Sequence, residues 1–281
     1  MIDFEPGVLR TFVAVVETGS LTGAGRRVGR TQPAVTHQLN RLEQAIMRPL
    51  FGPDRRNLVL TADGEMLLHY ARAILRLNEE TQEHFSSPPL EGRVILGTPD
   101  LYAAYLLPDI LSRFSRSYPG IELELRCRRS IYLETALQEG ELDLALVTRQ
   151  PEGMEGQLVR REPLVWVAGA EVHPEADEAV PLALLPEGSV YREQALEALD
   201  SARRRWRIVS VSDSIAGLLA AVLAGLAVAV FPRCALQPGV RRLGQRDGFP
   251  PLPQLDLLLL RRQSKISDAA KHLADYIARE L

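Results

Sequence analysis

The sequence predicts an α+β chain of several domains: a small helical head with a hairpin, a long connecting helix, and a two-lobed α/β body. Three patterns predict it. Apolar residues recur at helical spacing through the first fifty positions, a seven-residue repeat follows, and from residue 92 short apolar runs alternate with helical segments. The chain has 281 residues, 46% hydrophobic and 25% charged, with a net charge of −3. That balance excludes a collagen, a disulfide scaffold or long disorder, and at roughly 100–200 residues per domain the length accommodates two or three domains.

In the head, Leu9, Phe12, Val13 and Val16 form an i, i+3, i+4, i+7 stripe that buries one face of a first helix. Gly19 ends it, and Ser20 caps a second short helix running to Val28. Gly29-Arg30-Thr31 makes a tight turn, Thr31 is the natural cap of a third helix, and Pro33 sits in its first turn, where a missing N–H costs little. Val35, Leu39, Leu42 and Ile46 form the buried stripe of that helix. Pro33, Thr36, His37, Asn40 and Gln44 lie opposite, with Arg41 on the flank. A polar third helix after a tight turn suits the major groove of DNA: Gln32, His37, Asn40 and Arg41 can donate to base edges or phosphates, and Pro33 and the Thr36 methyl offer apolar contact. Periodicity alone allows a merely solvated face as well. Beyond Phe51, Arg55-Arg56-Asn57 precedes Leu58-Val59-Leu60, which reads as a hairpin, or wing, tipped with two arginines. Residues 1–60 hold eight arginines against five acids, a balance of +3, so the remainder carries −6. A basic head on an acidic body suits a polyanionic partner. The segment 24–31 imitates a phosphate-binding loop, but it lacks the first glycine, the lysine and a preceding strand.

The order Phe12, Gly19-Ser20-Leu21-Thr22, Ala24, Val28, Thr31-Gln32-Pro33-Ala34-Val35-Thr36, Gln38-Leu39, Leu42-Glu43, Pro49-Leu50-Phe51, Leu60-Thr61, Gly64 resembles the N-terminal domain of LysR-type transcriptional regulators. The resemblance implies a winged helix-turn-helix over 1–61, with Gln32, Pro33, Thr36 and His37 at the major groove and Arg55 and Arg56 in the wing; Arg30, Thr31, Asn40 and Arg41 complete the candidate DNA-binding residues. It implies a bacterial transcription factor binding double-stranded DNA, assembled as a homodimer or homotetramer and acting with RNA polymerase. Two positions depart from the pattern: Gly25 replaces a usual alanine, and Ile46-Met47 stands where a glycine-containing turn is common.

For the connector, 62–89, Thr61 caps a helix with Asp63 and Glu65 in its first turn. Leu67, Ile74 and Thr81, and likewise Ala71, Asn78 and Phe85, recur every seven residues. Leu67, Ala71, Ile74, Asn78 and Phe85 therefore read as a dimerising seam; an ordinary helix packed on its own protein fits the spacing too.

The body, 90–281, reads as βαβαβ: strand 94–96, helix 102–118, strand 122–128, helix 132–138 and strand 142–147. A second set follows, with strand 164–168, helix 192–202, strand 208–211, helix 214–224 and strand 227–231; strand 255–260 and helix 267–279 finish the chain. The seventeen apolar or glycine residues of 215–231 fall short of a bilayer span and read as a buried helix and strand. Lobe one takes 90–162 and 233–281, lobe two 163–232. By resemblance the body is a periplasmic-binding-protein-like effector domain. Ligands of such sheets bind at strand C-termini beside helix N-termini. This places Thr98, Pro99, Asp100, Arg128, Ser130, Thr148, Ser189, Arg192, Ser212 and Ser214 at an effector site. Arg128 and Arg192 select an anionic, carboxylate-bearing effector, although the serines and Asp100 also serve as helix caps and Arg128 as a solvated strand end.

Catalysis finds no support. The histidines at 37, 69, 84, 173 and 272 are scattered, and G-x-S-x-G, H-E-x-x-H and C-x-x-C are absent. Neither a metal nor a cofactor is implied. Cys127 and Cys234 match no ligand spacing and read as reduced and buried. The N-terminal residues resemble no signal peptide, which suits a cytoplasmic chain rather than an exported solute receptor.

Overall fold

A computed structural model describes residues 3–53, 57–86, 90–174, 178–264 and 266–281, apart from the side chains at 80, 83, 84 and 86. The chain divides into two compact units, Met1–Pro88 and Pro89–Leu281.

The first unit holds α1 (Pro6–Thr18), α2 (Leu21–Val28), α3 (Gln32–Ile46) and α4 (Ala62–Ser86). Gly19 and Gly29 take left-handed φ of 60° and 66°, stopping α1 and α2 as a residue without Cβ can. Leu9, Phe12, Val35, Leu39 and Leu42 make one core together with Phe51, and Leu67, Leu68, Ala71 and Leu75 of α4 join it. The connector is thus an integral part of the head's unit, whereas the sequence divides them at 61.

The second unit is built on a sheet of order β2-β1-β3-β9-β4-β7, with β8 also paired to β4. β1 (Gly92–Thr98) lies parallel to β2 (Ile121–Cys127) and β3 (Leu144–Thr148); β9 (Gln254–Arg261) runs antiparallel to β3. β4 (Gln157–Gly169) joins the lobes. Its first half pairs with β9, its second with β7 (Ala229–Pro232) and β8 (Val240–Leu243). Val165 and Val167 pack into one core, Leu164, Trp166 and Ala168 into another, following strand alternation. A two-stranded parallel pair, β5 (Val180–Leu184) and β6 (Trp206–Val211), belongs to lobe two. The helices are α5 (Asp100–Tyr105), α6 (Pro108–Ser117), α7 (Ser130–Gln138), α8 (Val190–Ser201), α9 (Ile215–Leu223) and α10 (Asp268–Glu280).

Four features differ from the sequence reading. The helix expected over 102–118 is two helices, because Pro108 has no N–H to continue the first and instead opens the second. β5 and β8 went unread: β5 contains Pro181, which argues against a strand, and β8 has only four residues, two of them arginines. The return to lobe one comes later than 233. β8 pairs with the far half of β4, Phe249 packs 5.4 Å from Trp166, and the Trp166 indole donates to the Pro250 carbonyl at 2.9 Å. Cys127 is exposed and Cys234 half-buried, against the expectation that both are buried. The apolar run 215–231 becomes α9 and β7, and no helix among the described residues is long and apolar enough to cross a membrane.

Candidate nucleic-acid interface and effector cleft

The polar face of α3 is presented by a capped, well-anchored helix. Thr31 Oγ1 accepts from the Ala34 N–H at 3.4 Å, and Pro33 lies in the first turn. Behind the helix, Thr11 Oγ1 donates to Gln38 Oε1 at 2.8 Å, fixing α3 to α1. Arg30, Thr31, Gln32, Pro33, His37 and Arg41 are exposed, and Thr36 and Asn40 half-buried. The Thr36 hydroxyl donates to the Gln32 carbonyl at 3.1 Å, so its proton is spent and its methyl remains for apolar contact. Gly25 has a physical reason: a Cβ there would stand 2.6 Å from the Arg30 carbonyl oxygen, so the turn into α3 closes against α2 where an alanine would not fit. At the other end Met47, 87% exposed, takes the left-handed cap (φ 56°) that a glycine would occupy without strain.

The wing's base is formed by Phe51 bridged to Leu60, with the Gly52 N–H donating to the Val59 carbonyl at 2.8 Å and the Thr61 N–H to the Leu50 carbonyl at 3.0 Å. Arg55 and Arg56 lie outside the described residues.

The connector seam divides. Leu67 and Ala71 are buried within their own unit, Ala71 completely, and so present no surface to another chain. Ile74 and Phe85 are exposed and Asn78 half-buried. Met66, Tyr70 and Leu77 are exposed beside Ile74; at 100° per residue these four share an arc of about 80°. The apolar stripe left open is therefore rotated from the seven-residue repeat, because half of that repeat is consumed by the head.

In the second unit a cleft of about 440 Å³ opens where β1, β2 and β3 end and α7, α8 and α9 begin. Pro99, Asp100, Arg128, Ser130, Thr148, Ser189 and Ser214 line it. Thr98, Arg192 and Ser212 do not. Thr98 is fully buried, its hydroxyl without a hydrogen-bond partner; Arg192 donates to the Leu185 carbonyl at 3.3 Å; Ser212 Oγ sits behind α9, donating to the Ser214 carbonyl at 3.1 Å.

Several lining groups are already engaged. The Asp100 carboxylate accepts from Leu101 N–H (2.9 Å), the Ser214 hydroxyl (2.7 Å) and Ile215 N–H (3.3 Å), joining the starts of α5 and α9. Ser130 Oγ accepts from Thr148 N–H at 3.1 Å. Ser189 caps α8 by position but makes no side-chain cap bond. Arg128 is paired with Glu141 at 3.1 Å.

The residues unread from sequence are Arg129 and the tyrosines. The Arg129 side chain, 17% exposed, donates from Nη2 to the Glu187 carbonyl at 2.8 Å, lies 3.9 Å from Asp213 and stands 5.7 Å from the Tyr132 ring. It therefore reaches from lobe one to lobe two. Tyr102 OH contacts Thr148 Oγ1 at 2.5 Å and Tyr191 OH at 2.8 Å, a second bridge between lobes. Burial pushes the Tyr102 phenol up to about 12, and burial together with the neighbouring phenol holds Tyr191 well above its ordinary value. The signal for Arg129 was only its place just after Arg128.

Residues 7–65 match the family model described as bacterial regulatory helix-turn-helix protein, lysR family, and residues 88–281 match the LysR substrate binding domain. The chain belongs to the LysR family of transcriptional regulators. Its relatives include the HTH-type transcriptional regulator DgdR of Burkholderia cepacia, 34% identical over 97% of this chain and 93% of that protein. PecT of Dickeya dadantii is 34% identical over 93% of this chain and 83% of its own. Among solved structures, full-length CbnR complexed with target DNA is similar with a TM-score of 0.53 at 21% identity, covering 99% of both chains. DarR of Vibrio fischeri in complex with DNA reaches 0.58 at 18% identity, covering 99% of this chain and 100% of that one. These likenesses show the fold. As a LysR-type regulator the chain is a DNA-binding transcription factor with an effector-binding domain, and not an enzyme.

Proposed function

We propose that this LysR-type regulator reads its operator with Gln32, Pro33, Thr36, His37, Asn40 and Arg41, while Arg30, Thr31 and the wing residues Arg55 and Arg56 hold the phosphate backbone. The observation that carries the reading is the exposed polar face of α3 opposite its buried Val35–Leu39–Leu42 stripe. Two such heads, joined through Met66, Tyr70, Ile74, Leu77 and Phe85, would read half-sites one helical turn or a multiple apart. RNA polymerase is the partner on which the bound regulator acts.

The effector is a small carboxylate on an apolar body. The starts of α7 and α8, neither closed by a side-chain cap, turn their positive dipole ends toward the cleft, whereas the first N–H groups of α9 are already bonded to Asp100 and Ser214. Arg128 and Arg129 add charge, and Ile131, Leu185 and Ile215 supply apolar wall. Such a ligand competes for groups that now bridge the lobes, so its binding shifts their arrangement. Coupling of ~1–3 kcal/mol to DNA affinity is enough for regulation.

Calorimetry with small carboxylic acids and their primary amides tests this class. Acids should bind in preference, and Arg129→Gln should abolish that preference. Preferential binding of the amides would contradict it. Footprints that stay identical with and without a saturating acid would contradict the coupling.

A further inference from the structure

We infer that Glu43 is a positioning residue for DNA reading: its carboxylate carries the wing on the recognition helix, so that the two DNA-contacting elements move as one piece. Glu43 is an acidic residue on the buried face of α3, only 9% exposed. A carboxylate so placed is costly unless its oxygens receive hydrogen bonds. Here Oε1 accepts from the Leu50 N–H at 2.9 Å and from the Phe51 N–H at 3.4 Å. Those two N–H groups open the wing. Leu50 receives Thr61 N–H on its carbonyl, and Phe51 is bridged to Leu60. One side chain of α3 therefore holds the first strand of the hairpin, which in turn holds the second.

The local sequence makes such a strut necessary. α3 ends at Met47 in a strained left-handed cap, and Pro49 then supplies no N–H. The Met47 and Arg48 N–H groups close back onto the Gln44 and Glu43 carbonyls, so the backbone bonds to α3 stop at Arg48 and the next link from α3 to the wing is the Glu43 carboxylate on Leu50 and Phe51. Gly64 permits close approach from the other side: a Cβ there would fall 2.1 Å from the Leu50 carbonyl oxygen. The start of the wing is clasped between Glu43 and the start of α4.

The consequence is specific to DNA geometry. α3 enters the major groove and the wing reaches the flanking backbone, so both are satisfied together only if the angle between them is fixed. The inference rests on the proposed DNA-reading face, and the experiment separates the two. A duplex is first selected by the wild-type chain from a random pool; failure to enrich any sequence counts against the reading itself. On the selected duplex, hydroxyl-radical footprints are compared for wild type, Glu43→Ala and Glu43→Gln, all well below their melting temperatures.

Glu43→Ala should lose the flanking protection, retain the central protection, and bind about tenfold more weakly. Glu43→Gln, which keeps an acceptor oxygen, should restore the flanking protection. The inference is overturned if Glu43→Ala leaves both protections intact, weakens them in equal measure, or is not rescued by Gln, and equally if the wild type shows no flanking protection.

Discussion

Tyr102 shows at the level of one residue how the cleft couples stability to function. Its phenol is buried, bonded to Thr148 and Tyr191, and pushed from 10.0 up to about 12 chiefly by burial. In the folded protein it stays neutral where the unfolded chain would ionise. Its stabilisation is complete below pH 10 and is lost as the pH rises from there toward about 12. Tyr102→Phe should therefore cost about 1 kcal/mol at neutral pH and flatten the alkaline loss of stability, as followed by urea unfolding across that range. Residues of this kind were the least legible in the sequence. A serine or arginine at a strand end can be named from spacing, but whether it faces the cleft or is already paired depends on a residue far away in the chain. Ser130 meets Thr148, Arg128 meets Glu141, and Arg192 turns to Leu185. The two cysteines belong to the same lesson. Partial desolvation raises Cys127 despite its exposure, with Asp100 adding to it, and burial beside Glu162 pushes Cys234 up to about 12, which keeps both as thiols rather than reactive thiolates at neutral pH.

Elements were far more legible than residues, because their signals are local. The caps at Ser20, Thr31 and Ser267 accept the backbone N–H bonds their residue types predict. What periodicity could not settle was which neighbour an apolar stripe would meet. In α4 the seven-residue repeat mixes Leu67 and Ala71, buried in the head, with Ile74 and Phe85, which are open. Leu77→Glu should consequently leave the melting temperature within a few degrees while reducing self-association in sedimentation experiments. Ala71→Glu should unfold the head, since it inserts a charge into a packed core. Equal loss of fold in both would contradict the division of that helix. The end of α3 yields a second prediction. Met47 sits at φ 56° with most of its side chain in solvent, so Met47→Gly should gain about 0.5–1 kcal/mol in chemical denaturation, relief of backbone strain exceeding the added flexibility of the unfolded chain.

At the scale of the whole molecule, each unit has its own core and its own task. The first concentrates polar and basic groups on one helix face. The second surrounds a cleft with helix starts and bridges its lobes through Asp100, Arg129 and the Tyr102–Tyr191 pair. The division into a DNA-reading part and an α/β part was readable from the change of period near residue 90. The route of β4 through both lobes was not, because a strand buried in two different cores reads as one apolar run. The proposed reading of the operator depends on the solvent-facing side of α3 contacting bases. The most direct measurement compares Gln32→Ala with wild type on a selected duplex and on random duplex at the same salt concentration. The loss should be ~1–3 kcal/mol on the selected duplex and negligible on the random one. Equal losses on both would mean that Gln32 touches only the backbone, and that this face does not read sequence.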